Sequence, residues 1–518
     1  MSTMICQAPN CAPAADHYAA EVDPPDNSTL TATEFNELTL DTASGYFLVT
    51  LPSPVHVSGL VRTNDLIVPG TVVFSRPSRI SGRPDVFYQA TVDASTGGYQ
   101  ISVPPNAVGE SYTVTVHPTD IAKFPPVTQT VQLTKDRTLD LVFASGSRLF
   151  TLRGDITDVL YAPLSNVRVV LRDASTLLDL STTVVTDLTG HFELSISQDS
   201  GFDGPVVLTA EQGTAATGLI TMSVPLTSPA LEAQLASAAM QLQFPAIPAA
   251  THRSFVVVGS STSGADKLVA GAQVRLTATL VGSVLSGGVQ VSHEIELQTN
   301  SDGKFEADLY SDETGTRKYK IAISPPSDSE FQTTSTEVVV ASAPGLGASV
   351  RLPIRPLVTG RVLDPMGVPL KGVVVQPALS TLAASAATSL ATSSRAASAS
   401  TDVDGRFALR IDAGAYDLAL VPPATSQLPR TWLTGQTIVA NVDLGDLNAP
   451  SSVIFDAVVL GPDSKPTQAA VHVFVVPAHN TACASTDRAC LAPPRLQADG
   501  STDQNGRAPL LLPSTPIR

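Results

Sequence analysis

Apolar and polar residues alternate with a period of two along most of this chain, in short runs separated by Gly, Pro, Asp and Asn. Val167, Val169 and Leu171 alternate with Arg168 and Arg172; Phe192, Leu194 and Ile196 alternate with Glu193, Ser195 and Ser197; Phe407, Leu409 and Ile411 alternate with Ala408 and Arg410. Successive side chains of a strand point to opposite faces, so this pattern predicts strands with one face buried and the other wet. Helical spacing is almost absent. Short strands punctuated by frequent turns predict an all-β fold of antiparallel sandwiches.

The strands recur in a long-period repeat. A polar turn containing Gly, followed by an aromatic and then alternation, is found as TVDASTGGYQISV, TDLTGHFELSI, TNSDGKFEADL, TDVDGRFALRI and TDQNGRAPLLL, around Gly98, Gly190, Gly303, Gly405 and Gly506. A spacing of roughly 100 residues is too long for a solenoid repeat and long enough for each unit to close its own core. Before each turn lies a strand-turn-strand stretch, clearest as VTGRVLDPMGVPLKGVVVQP from Val358. After it, several copies carry a closing strand that starts with Tyr: Tyr112, Val114, Val116; Tyr319, Ile321, Ile323; Tyr416, Leu418, Leu420. The second copy has Val206 and Leu208 instead. The fifth has Ala508 where an aromatic is expected and ends without a recognisable closing Tyr strand, so it reads as incomplete.

These signals divide the chain into a disordered Pro-, Ala- and Asp-rich segment, residues 1–33, and five sandwiches: 34–146, whose leading strands are uncertain, 147–250, 251–354, 355–450 and 451–518. The fourth carries an Ala-, Ser- and Thr-rich insert at 377–400, and a half-copy of the turn motif, DTASGYFLVTL, precedes the first full unit. Segments between units are rich in β-branched residues, which predicts strand-like joints and a fairly stiff rod.

The fourth unit combines Gly360, Val362, Asp364, Pro369, Leu370, Val373 and Val375 with Thr401, Asp402, Asp404, Gly405, Phe407, Gly414, Tyr416 and Leu418. This combination resembles the carboxypeptidase regulatory-like domain, a transthyretin-like, carbohydrate-binding-like sandwich. The match extends over most of the chain from about residue 55 and is sharpest in unit four. The resemblance implies tandem transthyretin-like (Ig-like, Greek-key) sandwiches in which the motif residues are structural, and it implies no catalytic residue. Members commonly accompany peptidases, outer-membrane transporters or surface proteins.

Composition narrows the function classes. The net charge is −16, from 31 Lys and Arg against 47 Asp and Glu, which disfavours a phosphate-tracking nucleic-acid partner. No apolar run reaches the length of about 18 residues that a membrane-spanning helix needs. There is no HExxH, GxSxG or Walker motif, so no catalytic residue, metal ligand or cofactor is assigned. The acidic turns read as hairpin chemistry, because no downstream Glu completes a calcium loop. His293, beside Glu294 and Glu296, reads as part of a solvated strand face. Cys6 with Cys11 and Cys483 with Cys490 are locally spaced pairs: disulfide staples in an oxidising compartment, or free thiols. The single Trp432 is the candidate ligand contact, against an edge-packing role. The sequence therefore predicts a non-catalytic cell-envelope or secreted protein, a spacer, scaffold or adhesion module, with a protein or glycan of the envelope as partner. The alternative is a carbohydrate- or peptidoglycan-binding protein. An extracytoplasmic location is expected although the first residues, MSTMICQAPNC, lack a signal-peptide pattern.

Overall fold

The computed structural model describes residues 17–26, 28–38, 45–64, 66–143, 149–174, 177–197, 205–226, 240–244, 250–260, 266–281, 289–311, 317–340, 349–379, 397–477 and 493–514. They form paired β-sheets throughout, with a single three-residue 3-10 turn at Ala424–Ser426 among them.

The fourth module shows the plan. Its opening strand, Leu357–Leu363, pairs antiparallel with Arg406–Arg410 on one side and parallel with Val442–Asn448 on the other. The facing sheet runs Ala399–Ser400, Val374–Leu379, Gly414–Val421, Thr431–Ile438. Alternation sends Val358, Val362, Val375, Phe407, Leu409 and Leu418 inward from both sheets to a common core. The parallel pair recurs: Val55–Arg62 with Leu141–Val142, Leu149–Thr157 with Met240–Gln243, and Ala250–Ser260 with Ser349–Leu352. In these four modules the sandwich is thus antiparallel except at its end, where the chain crosses back to run parallel along the other edge of the opening strand.

In modules two to five the repeated turn has one geometry. The Asp187 carboxylate accepts the backbone N–H groups of Thr189 and His191 at 2.8 and 3.0 Å. Asn300, Asp402 and Asp503 do the same for the residues two and four positions on. Gly405 sits at φ +72°, and a Cβ there would lie 2.5 Å from the Val362 carbonyl oxygen, so only glycine fits. In the first module the left-handed residue is Gly97, one position before the glycine the motif alignment selects. In modules two to five the Thr that opens the motif is buried. Thr401 Oγ1 accepts from Val373 N–H at 2.9 Å and donates to the Leu370 carbonyl at 2.6 Å. Thr186, Thr299 and Thr502 repeat this clamp.

Two expectations are corrected. The segment 1–33 is expected to be disordered, yet His17–Asp23 within it is a strand and Thr33–Phe35 at its end is another. These strands, with Tyr46–Thr50, build the missing half of the fifth module. His17–Asp23 pairs antiparallel with Ala470–Val476 and carries Thr33–Phe35 on its other edge. Tyr46–Thr50, the half-copy before the first unit, pairs parallel with the opening strand Ser452–Leu460. Register identifies the missing Tyr. In the fourth module Thr401 N–H bonds to the Val373 carbonyl, and Tyr416 lies opposite Leu379, six positions beyond Val373. In the fifth, Thr502 N–H bonds to the Ala469 carbonyl, and Tyr18 lies opposite Val475, six positions beyond Ala469. The core that results joins Val22, Phe47 and Val49 to Val459, Val471 and Leu510. The fifth sandwich is therefore whole, from two segments at opposite ends of the sequence. The second correction is to separate cores: the second and third modules share one continuous apolar cluster, from Leu152 to Leu352.

Candidate functional site

Most of the charged side chains that the sandwiches bury, Glu34, Arg76, Arg355, Asp412 and Asp417 among them, lie at the joints between modules, and each joint has its own chemistry. Between the second and third modules the joint is main chain. Strand Leu219–Leu226 pairs with Gln290–Gln298, fusing two four-stranded sheets into one of eight strands. His293 lies in this seam, 2% exposed, its Nδ1 2.8 Å from the Tyr319 hydroxyl and its ring edge-on to Tyr310. Burial pushes its pKa down to about 4 and that of Tyr319 up to about 12. The expected solvated face is thus limited to Glu294 and Glu296; His293 alternates with them and shares the inward face with Val291 and Ile295.

Between the third and fourth modules, Arg355 and Asp412 form a buried ion pair at 3.3 Å. Asp412 also accepts the Thr333 backbone N–H and hydroxyl, at 3.2 and 3.1 Å, and Arg410 donates to the Arg355 carbonyl at 2.9 Å. Between the fourth and fifth, Arg495 bonds Asp417 at 2.9 Å, and Asp417 in turn accepts the Gly435 N–H at 2.7 Å. Arg430 donates to the Leu496 carbonyl at 3.1 Å, and Gln497 donates to the Arg430 carbonyl. The first and second modules touch through the Thr183 N–H and the Ile121 carbonyl, 3.1 Å apart.

The fifth module also meets the first. Arg76, on strand Gly70–Arg76, is paired at 3.1 Å with Glu34, the two side chains 1% and 3% exposed. Glu34 further accepts the Ser78 hydroxyl at 2.5 Å and the Arg79 backbone N–H at 3.0 Å. Arg83 bonds Glu21 at 2.8 Å and lies over the Phe474 ring, 5.0 Å from its centre, while Ile80 is buried with Ala19 and Val476. Contacts therefore run from module one to five and back to one in a closed circuit. The expected rod with two free ends is not what these contacts describe: the N-terminal strands are covalently next to module one and hydrogen-bonded into module five.

Of the residues singled out in the sequence, Trp432 lies in the joint of the fourth and fifth modules, half-buried, its indole N–H donated to the Leu496 carbonyl at 3.2 Å. Cys6, Cys11, Cys483 and Cys490 lie outside the described residues, as do positions 380–396 of the insert. The turn carboxylates are engaged by their own loops. Asp93 is held down to about 2 by the Ser95 hydroxyl and the neighbouring amides, and Asp187 is lowered chiefly by the Thr189 hydroxyl. Among the described residues no group of three His, Cys, Asp or Glu side chains is placed to hold a metal, and no helix is long and apolar enough to cross a membrane. Arg76, Glu34, Arg355 and Asp412 were missed by sequence reasoning. The signal was present only as charges next to strand ends, which most often belong to a solvated face.

No family model matches the chain, and no curated protein is similar to it. Among solved structures, it is similar to a streptococcal ancillary pilin, at 12% identity over 58% of this chain and 99% of that one, with a TM-score of 0.22. It is also similar to the TIE protein of Bacillus anthracis, at 9% identity over 74% of this chain and 69% of that one, TM-score 0.18. A third is GBS52, the minor pilin of Streptococcus agalactiae, at 13% identity over 38% of this chain and 96% of that one, TM-score 0.21. At such scores these likenesses add nothing to the fold read from the strand pairing.

Proposed function

We propose that the protein is a non-catalytic structural framework of the cell envelope or of the secreted fraction, holding five sandwiches in a fixed closed circuit and presenting their loops to an envelope protein or glycan. The observation that carries this is the set of built joints, with buried ion pairs at two of them and a continuous eight-stranded sheet at a third. Mobile modules usually meet through small, wetter interfaces. Burying charge is costly unless it is paired and hydrogen-bonded, so such pairs suit surfaces that stay together. The GxVxD, PLxxVxV and TDxDGxF pattern supports placing the modules with carboxypeptidase regulatory-like domains, and the short Cys spacings support an oxidising compartment. A glycan-binding reading centred on Trp432 would use its ring face, with its N–H anchoring the ring to the Leu496 carbonyl in the joint.

Two measurements test the framework. Small-angle scattering of the full chain should give a compact particle whose largest dimension is unchanged by salt; a profile that lengthens with salt, as for beads on a string, would contradict it. Retention of the purified chain on parent-cell envelopes, with no retention on intracellular membranes, is expected for the location, and the opposite pattern would refute it.

A further inference from the structure

The fifth module is one sandwich made from two segments about 400 residues apart, and every contact between its halves is independent of which copy of the chain supplies each half. The geometry points to head-to-tail assembly of this chain: strands His17–Asp23, Thr33–Phe35 and Tyr46–Thr50 of one copy complete the Ser452–Pro513 half-sandwich of a second copy, by the same pairing that closes a single copy.

The contacts sort into two sets. Glu34 to Arg76, Ser78 and Arg79, and Glu21 to Arg83, tie the N-terminal strands to module one of their own chain. These survive opening, because both partners belong to one copy, and the four residues Leu51–Pro54, with two prolines, join Tyr46–Thr50 directly to module one. The second set is the seam: seven register pairs of His17–Asp23 with Ala470–Val476, five of Tyr46–Thr50 with Ser452–Leu460 extended by the Leu51 N–H on the Leu460 carbonyl, Ile80 against Val476, and Arg83 over Phe474. Opening breaks the seam alone, and joining a second copy remakes all of it.

An opened chain has a donor end with Val22, Phe47 and Val49 uncovered and an acceptor end with Val459, Val471 and Leu510 uncovered. Among the described residues these side chains belong to no other apolar cluster, so an opened chain recloses or captures a copy. Such a contact runs head to tail: each copy offers one donor and one acceptor, which generates closed rings, the reciprocal dimer being the smallest, or open chains of copies. Closure within one copy wins when protein is dilute, because the tethered donor has an effective concentration on the order of millimolar. The exchanged form is therefore expected at high local concentration, as on a surface. This proposal does not depend on where the protein acts or what it presents.

The test uses full-length chains with Cys6, Cys11, Cys483 and Cys490 replaced by Ser. One carries Asp23→Cys, the other, isotope-labelled, carries Ala470→Cys; these are facing positions on the solvent side at the end of the seam. Equal amounts are opened in denaturant, refolded together under mild oxidation at rising concentration, and digested for mass spectrometry. A disulfide between positions 23 and 470 joining a light to a heavy peptide, increasing with concentration, is the expected result. In parallel the unsubstituted chain, opened and reclosed at the highest concentration, should give light-scattering masses at multiples of 53.8 kDa. Absence of the mixed peptide at every concentration, with the unsubstituted chain remaining at a single mass, would overturn the proposal. So would mixed aggregates lacking the 23–470 link.

Discussion

Replacing Glu34 by Ala tests the joint that closes the circuit. Its carboxylate, 3% exposed, is shared by the Arg76 guanidinium at 3.1 Å, the Ser78 hydroxyl at 2.5 Å and the Arg79 N–H at 3.0 Å. Hydrogen bonds to a charged group contribute about 1.5–3 kcal/mol each, but they are not additive, and removing one partner of a buried ion pair typically costs about 3–5 kcal/mol. The larger share of that cost is the Arg76 charge, 1% exposed, left among Tyr88 and Tyr112 without its counter-ion. The expected loss for Glu34→Ala is therefore about 3–5 kcal/mol for the unit made of module five and its joint with module one. Glu34→Leu combined with Arg76→Met, which removes both charges and retains volume, should lose much less. Trp432, on module four with its N–H bonded to the Leu496 carbonyl of module five, reports the transition by fluorescence during guanidinium unfolding, and this local probe is needed because a five-module chain is not two-state. A loss under about 1 kcal/mol for Glu34→Ala, or a double substitution no better than the single, would refute the reasoning that this pair holds the joint.

Three further outcomes follow from single positions. Gly405→Ala forces a Cβ into the left-handed region and to 2.5 Å from the Val362 carbonyl, so the fourth module should lose at least about 2 kcal/mol in chemical denaturation, and a neutral result would contradict the turn geometry. Thr401→Val keeps the shape but orphans the Val373 N–H and the Leu370 carbonyl, for an expected loss of about 1–3 kcal/mol; Thr401→Ser, which keeps the hydroxyl, should recover most of it. His293 titrates near 4 when folded and near 6.5 when unfolded, so the unfolded chain binds the extra proton first as pH falls. Its contribution is intact above about pH 6.5 and is lost progressively down to about 4, by up to about 3 kcal/mol. His293→Phe should flatten the fall in melting temperature between those pH values relative to the unsubstituted chain, and parallel profiles would show that the imidazole is not buried neutral.

Much of the fold was legible because it is local. Alternation at Phe192, Leu194, Ile196 and at Phe407, Leu409, Ile411 places both strands on the core face, and the Gly turns mark each return. The buried Thr of the turn motif was visible as a recurrent letter but not as a clamp, since its partners lie across a loop about 30 residues earlier. The completion of module five was illegible for a related reason. HYAAEVD carries the alternation of a closing strand and even its Tyr, but a repeat search expects that strand after the Gly turn, whereas Tyr18 precedes its partner Val475 by most of the chain. Buried pairs such as Arg355 with Asp412 are charges whose burial arises only when two modules meet, and nothing in a single strand encodes it. Trp432 was visible as the lone Trp, yet its partner is a backbone carbonyl of the next module.

Backbone hydrogen exchange of the full chain, followed by mass spectrometry, tests the completed fifth module most directly. If His17–Asp23 and Tyr46–Thr50 are strands of that sandwich, their amides should be protected to the same degree as those of Ala470–Val476 and Arg507–Pro513, and all four segments should lose protection together as denaturant is raised. Rapid exchange of residues 17–50 while 470–513 stay protected would contradict it, because the C-terminal half-sandwich would then be closing its core without them.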